Sequence, residues 1–180
     1  NTMSVTNAFV TASGSANSEK PNLMHYGIYA LNGLTVTDST LSASCGDSRL
    51  SKMRGYAIFT KGNVLLENST VTAKAGFASA IDAYNYGVYS TKLTIIDGSF
   101  LAEAGGSDGA IHCATYTTPI VKMDNTPYYQ WTVGDGYHFS MNTPYSSSQY
   151  KPTKTSYFCI KPMEAAVMPL FRINATTGEW

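Results

Sequence analysis

A pattern that repeats every 30 residues limits the folds open to this chain more than any other feature. The segments that begin at Tyr26, Tyr56 and Tyr86 align at a constant offset of 30 positions. Equivalent positions share their chemistry, as in the columns Ile28, Ile58, Val88; Tyr29, Phe59, Tyr89; Val36, Leu66, Ile96; and Leu41, Val71, Leu101. A fixed period of roughly 20 to 50 residues is typical of solenoids, in which each repeat buries its apolar face only against its neighbours.

The composition of each repeat indicates strands rather than helices. Three short segments, exemplified by Gly27–Ala30, Leu34–Thr37 and Thr40–Ser44, are rich in β-branched residues and are separated by glycine or polar corners. Apolar residues alternate with polar ones at a period of two, and no segment keeps a helical stripe. The sequence therefore predicts an all-β fold, a parallel β-helix in which each repeat is one rung.

The same pattern extends beyond the three full repeats. Val5–Ser13 resembles a partial rung, because Asn7, Val10 and Ala12 match positions of the first repeat at an offset of 31. Residues 109–112 match the start of a fourth repeat. We therefore expect about four rungs within residues 1–114.

Two columns of the repeat alignment predict a polar corner and a covered outer face. Asp38, Asn68 and Gly98 fall in a polar corner, where side chains of this kind bond their own backbone. The outward column of the second strand reads Thr35, Leu65 and Ile95. Because two of these three residues are apolar, the sequence predicts that another part of the chain covers this face.

The last third of the chain does not repeat. Residues 115–180 contain many aromatics together with Pro119, Pro127, Pro144 and Pro152. We interpret them as irregular loops and strands, at Tyr129–Val133 and Ser156–Lys161, that flank the solenoid and cap its open end, because an uncapped rung exposes unpaired backbone. A final strand near Leu170–Asn174 and a turn are expected to lead into a further module.

Charge and cysteine content bear on the class of partner. Lys plus Arg and Asp plus Glu both number 12, which gives a formal net charge of zero. Nucleic-acid binding requires concentrated basic charge, so we expect no such partner. No apolar window reaches about 18 residues, so we expect no membrane insertion by this segment.

The three cysteines show no metal-site spacing and are interpreted as free thiols or as one disulfide plus a thiol; no metal or cofactor is predicted.

The repeats GIYALNGLTVTDSTLSAS, AIFTKGNVLLENSTVTAKAG and GVYSTKLTIIDGSFLAEAGG resemble those of right-handed parallel β-helix, pectin-lyase-like domains of secreted or surface proteins of gut bacteria. The resemblance covers about residues 5–114. It implies an extracellular or cell-surface location. It leaves the activity open, because the family includes polysaccharide lyases, glycosidases, carbohydrate-binding modules and adhesins.

An enzyme of this fold would need paired carboxylates, or an acidic cluster beside a basic residue. The candidate acids are Asp38, Glu67, Asp82, Asp97, Glu103 and Asp108, and the candidate bases are Arg49, Arg54, Lys61 and Lys92. None forms a paired motif within one rung. Glu67 and Asp97 are expected to stack one rung apart, either as a solvated outer surface or as a calcium pair. We therefore expect no catalytic residue, with a lyase or glycosidase as the lesser alternative.

The candidate binding residues are aromatic. Tyr29, Phe59 and Tyr89 have the parity opposite to the inward column, so we expect an outward row that His112 extends. Such a row can contact sugar rings, or it can stabilise the solenoid by ring-on-ring contact alone. The sequence thus predicts a non-catalytic, adhesin-like or carbohydrate-binding surface domain, whose partner is a glycan or a host surface protein. The alternative is a structural spacer in a multi-domain exported protein.

Overall fold

Parallel strands stacked in register form the body of the molecule. A computed structural model describes residues 2–15, 20–80, 82–105, 109–114, 120–122, 128–134, 136–141 and 156–162. These residues contain strands and no helix, and the parallel strands build a β-solenoid of about four turns. The predicted fold class is confirmed.

Each turn of the solenoid contributes to two sheets. The four-stranded sheet contains β3 (Met24–Tyr29), β6 (Arg54–Phe59), β8 (Tyr84–Ser90) and β10 (Ile111–Cys113). The larger sheet contains β1 (Met3–Thr6), β2 (Phe9–Gly14), β4 (Gly33–Thr37), β5 (Thr40–Cys45), β7 (Asn63–Phe77), β9 (Lys92–Gly105) and β11 (Ile120–Lys122). Three further strands, β12 (Tyr128–Val133), β13 (Gly136–Met141) and β14 (Tyr157–Pro162), extend it.

The strand register confirms the repeat at its start and corrects it in the third turn. Val5 pairs with Val36, and Val36 with Leu66, at the predicted offsets of 31 and 30. Leu66 then pairs with Ile95 instead of Ile96, because two residues separate Tyr89 from Lys92, whereas three separate their partners Phe59 and Asn63. From Lys92 to Ala104, every column of the third repeat therefore shifts by one position, and a second register shift follows between Ala75 and Phe77 of β7.

The shift changes the role of several residues. Ile95 is buried in the core, so the outward column reads Thr35, Leu65 and Thr94. Phe100, rather than Leu101, follows Leu41 and Val71 in the inward column. The prediction of two apolar residues on the outward face was wrong, because it assumed a constant offset across a shortened corner.

The polar corner is also displaced. Left-handed backbone occurs at Asn7, Asp38, Asn68 and Asp97, with φ between 46° and 56°. Asp97, not Gly98, is thus the third-turn equivalent of Asp38. Asp97 is buried, and Glu67 pairs with Ile96 in β9, so the expected stacking of Glu67 on Asp97 was wrong.

Serine hydroxyls connect successive turns beside this corner. The Ser39 hydroxyl accepts from the Ala8 N–H at 3.0 Å and donates to the Thr37 carbonyl at 2.7 Å. Ser69 repeats both contacts, to Ser39 and Glu67, one turn later. In the third turn Gly98 pairs directly with Ser69 at a φ of 81°, and a side chain there would run into the Ser69 backbone. Glycine at position 98 therefore lets the backbone of β9 lie closer to Ser69 of β7 than a serine at this position would.

Inward side chains of both sheets form one core. Its largest fully buried members include Leu34, Leu41, Ile58, Leu66, Ile95, Phe100 and Ile111. A buried polar cluster lies at its border, where Asn85 accepts from the Ser48 hydroxyl at 2.6 Å and donates to the Gly76 carbonyl at 2.7 Å. His25 bonds the Gly46 carbonyl through Nε2 at 2.9 Å.

The end of the solenoid formed by the third turn is closed by further strands. β11 continues the parallel ladder along the first half of β9, and β14 pairs antiparallel with its second half. β12 pairs antiparallel with β14 and with β13, a strand that the sequence did not predict. Phe158 and Ile160 from β14 are fully buried in the core. The strand expected near Leu170–Asn174 lies outside the described residues.

Candidate functional site

A bend in the four-stranded sheet places two aromatic columns on one surface. In β6 and β8, the residues at Ala57 and Gly87 interrupt the alternation of inward and outward side chains. Gly27 occupies the same position in β3, where a side chain would meet backbone carbonyls of neighbouring strands. Residues three positions apart therefore face the same side, although an unbroken strand would put them on opposite sides.

The first column is the predicted row, and we call it the outer row: Tyr29, Phe59, Tyr89 and His112. Its rings are stacked nearly parallel. The centroids of Tyr29 and Phe59 are 5.4 Å apart, those of Phe59 and Tyr89 5.1 Å, and those of Tyr89 and His112 4.5 Å. The structure thus brings all four predicted residues together in one ladder.

The second column, which we call the inner row, consists of Tyr26, Tyr56 and Tyr86. Tyr56 stacks on Tyr26 at 5.5 Å and on Tyr86 at 6.0 Å. The two rows meet edge to face, for example Tyr26 with Tyr29 at 5.0 Å. The sequence showed these tyrosines as a repeat column, but strand parity alone did not indicate that they share the surface of the outer row. Together the two rows form the aromatic face.

Stacking determines which parts of the rings solvent can reach. Inside the ladder each ring face lies against its neighbour, so solvent reaches ring faces only at the ends of the rows. Tyr29 is at the open end of the outer row and is 51% exposed, whereas Tyr56 is 4% exposed. A shallow depression of about 330 Å³ follows the start of both rows and is lined by Met24, Tyr26, Tyr29, Arg54, Tyr56, Phe59, Lys61 and Tyr89.

Among the described residues, two basic side chains and no carboxylate line this depression. The Arg54 guanidinium also lies 5.8 Å from the Tyr84 ring, a cation–π contact. Burial raises the pKa of Tyr26 and Tyr56, so both phenols are protonated at neutral pH and can donate hydrogen bonds. Burial lowers the pKa of His112, which favours the neutral imidazole in the ladder.

The candidate catalytic carboxylates are dispersed. Asp38 accepts a hydrogen bond from Asn68 Nδ2 at 2.5 Å, and Glu103 pairs with Lys74 at 3.1 Å. Asp82 has a left-handed backbone at the end of a connecting loop, and Asp108 lies outside the described residues. In the part of the chain that the structure describes, no three His, Cys, Asp or Glu side chains form a group able to hold a metal ion.

The three thiols are free and do not approach one another as a disulfide. Burial raises the pKa of Cys45 to about 12, so this thiol is protonated at neutral pH. Burial also raises the pKa of Cys113, whose sulfur lies 3.7 Å from the Ser90 hydroxyl. Since the thiolate is the nucleophilic form, these groups are suited to packing.

No family model, curated protein or solved structure matches this chain. Within its described residues there is also no helix long and apolar enough to cross a membrane. The arrangement of the aromatic face is therefore the main guide to function.

Proposed function

We propose that this chain is a non-catalytic extracellular or cell-surface domain that binds polysaccharide through its aromatic face. The observation that carries the proposal is the pair of stacked rows whose first rings border an open depression. Aromatic rings offer large contact area with little conformational entropy to lose. Sugar-binding sites combine such apolar area with a few placed polar groups.

The stacking suggests how a glycan would bind. A sugar cannot enter between ladder rings whose centroids are 5.4 Å apart or closer in the outer row. The outer face of Tyr29 can stack on one sugar ring, while the half-buried Tyr26 hydroxyl group can accept a hydrogen bond from a sugar hydroxyl. Arg54 and Lys61 supply further donors, so anionic glycans should bind more tightly than neutral ones, with an affinity that falls as salt rises.

The alternative function is that of a structural spacer, and the same ladder supports it. Ring-on-ring contacts of this kind contribute about 0.5–1.5 kcal/mol per pair to folding. A spacer would retain the ladder for stability and bind no glycan. A lyase or glycosidase would need two carboxylates, or an acid and a base, at one groove; the dispersed positions of Asp38, Glu67 and Glu103 give such an activity no support.

A glycan panel separates these functions. Neutral, uronate-rich and sulfated polysaccharides are titrated against the wild type, Tyr29→Ala, and the double variant Arg54→Ala/Lys61→Ala. Phe77→Ala serves as the matched control, because Phe77 is 56% exposed but lies in β7, outside the aromatic face.

We expect Tyr29→Ala to weaken binding about tenfold or more, equivalent to about 1.4 kcal/mol, while Phe77→Ala binds as the wild type does. The double variant should lose the preference for anionic polymers. Circular dichroism confirms that each variant is folded. Absence of binding to every polymer, or equal losses in Tyr29→Ala and Phe77→Ala, would favour the spacer.

A further inference from the structure

The positive charge of the aromatic face is confined to its second turn. Arg54 begins β6 and Lys61 follows its end, and both side chains are exposed and line the shallow depression. Neither forms a salt bridge with a carboxylate of the described residues. Lys52 and Asp82, exposed at equivalent loop positions of successive turns, carry opposite charges and contribute no net charge beside Arg54. Both cations are therefore available to an anionic ligand.

The adjacent turns supply no cation at the equivalent positions. The residues stacked on the two basic side chains are uncharged: Met24 and Tyr84 for Arg54, and Leu31 and Thr91 for Lys61. The aromatic rows run from turn to turn along the solenoid, whereas Arg54 and Lys61 lie at the two ends of one strand. The two cations therefore define a line along β6 that crosses both rows.

The length of β6 limits the separation of the two cations. The seven residues from Arg54 to Lys61, at about 3.3 Å each, place their Cα atoms at most about 23 Å apart. The bend in β6 shortens this distance and brings the Tyr56 and Phe59 rings to a centroid separation of 5.0 Å. Phe59 is stacked on both faces, so its half-buried ring offers an edge, which carries partial positive charge. The surface between the cations thus suits an anionic chain rather than a single anion.

We infer that Arg54 and Lys61 bind two anionic groups of one extended glycan, which lies along β6 and crosses the aromatic rows. This inference rests on the proposed function and adds to it the orientation of the ligand and the two residues that determine its specificity. A glycan lying along the solenoid axis would meet only one cation. Selectivity then depends on the spacing of carboxylate or sulfate groups along the glycan, because both cations must be reached at once.

The test is a calorimetric titration with uronic-acid oligomers of defined length, from the monosaccharide to the octasaccharide, and with sulfated oligomers of the same lengths. The wild type is compared with Arg54→Gln and Lys61→Gln, which remove a charge and keep a polar side chain. Lys122→Gln is the matched control, because Lys122 is exposed on β11 in the larger sheet. Poly-glutamate provides a polyanion without sugars, and circular dichroism checks that each variant is folded.

We expect the wild-type affinity to rise about fivefold at the length at which one chain reaches both cations, and to change little beyond it. Arg54→Gln and Lys61→Gln should each abolish the rise, Lys122→Gln should retain it, and added salt should reduce it. A rise in the uronate series, the sulfated series or both identifies the anionic group that the site accepts.

Three outcomes would overturn this inference while leaving glycan binding in place. The first is a gradual increase of affinity with length, as expected when a longer chain only offers more equivalent registers. The second is a rise that survives either single substitution. The third is poly-glutamate that binds as tightly as the octasaccharide, which would point to an acidic peptide. Absence of binding by every oligomer would overturn the inference together with the proposed function.

Discussion

Single residues at the corners determine where each turn of the solenoid changes direction. Asn7, Asp38, Asn68 and Asp97 adopt left-handed backbone, and all four are Asn or Asp. Most L-residues avoid this region because Cβ approaches the carbonyl oxygen, whereas short polar side chains tolerate it. A second set occurs where a loop returns to the four-stranded sheet, at Asn22, Lys52 and Asp82.

Substitution of Asn68 measures the contribution of this conformation. Asn68 has a φ of 46°, and its side chain donates to Asp38. Asn68→Ala should lower the free energy of unfolding by about 1–2 kcal/mol, because alanine is strained at positive φ. Asn68→Gly should be close to neutral, because glycine adopts positive φ freely. Urea unfolding of both variants checks the difference.

The neighbouring substitution Glu67→Ala is the control, since Glu67 is exposed and its φ is not positive. It should change stability little. Equal losses for Asn68→Ala and Asn68→Gly would show that the hydrogen bond to Asp38, rather than backbone strain, accounts for the effect.

The corner residues and the inward columns were predictable from the sequence in the first two turns but not in the third. The repeat predicted the inward columns of the first two turns and the Asp38–Asn68 corner, because side-chain chemistry recurs at a fixed spacing. It misplaced Asp97 and Phe100, since a connection shortened by one residue leaves adjacent columns with similar chemistry, such as Ile95 beside Ile96. Hydrophobic pattern alone does not resolve a one-residue shift when both neighbours are apolar.

At the scale of elements, the aromatic ladder couples strands that are far apart in sequence. Phe59 contacts Tyr29 and Tyr89 within the outer row and two tyrosines of the inner row. The outer row was predictable from strand parity. The inner row was not, because its orientation depends on the bend at Gly27, Ala57 and Gly87, and that bend arises from packing between turns.

A double-mutant cycle tests the coupling within the ladder. Phe59→Leu and Tyr89→Leu keep apolar area but remove the stacked pair, whose planes are 14° apart. We expect a coupling free energy of about 0.5–1.5 kcal/mol from chemical denaturation of the two single variants and the double variant.

The control cycle uses Tyr29→Leu and His112→Leu. These residues are at opposite ends of the outer row and have no ring partner in common. Their effects should add. Coupling of the same size in both cycles would mean that the ladder acts through the whole sheet and not through neighbouring rings.

At the scale of the whole molecule, the two ends of the solenoid differ. Stability in such folds is approximately a sum of terms within turns and between neighbouring turns. Strands in the middle have two neighbours, while β2 has one within the described residues and β9 is covered by β11 and β14. In the monomer, opening should therefore begin at β2, and protection against hydrogen exchange should be greatest in β7 and β8.

Weakening the packing of β14 should make the β9 end of the solenoid open as readily as the β2 end. Phe158 is fully buried and lies against Phe100, with ring centroids 6.0 Å apart. Phe158→Ala should cost about 3–5 kcal/mol by cavity formation. Because β14 holds the second half of β9, amides of Phe100–Glu103 should then exchange about as fast as those of β2, while β6 and β7 change less. Lys161→Ala, exposed on the same strand, is the control.

Hydrogen exchange read by mass spectrometry at low protein concentration distinguishes local from global opening. If Phe158→Ala accelerates exchange mainly in β9 and β14, the solenoid opens from its ends and the cap acts by closing one of them. If it accelerates exchange equally in every strand, including β3 and β6 far from the cap, the solenoid unfolds as a single cooperative unit. In that case β14 would stabilise all turns together, and the nearest-neighbour description of this chain would be wrong.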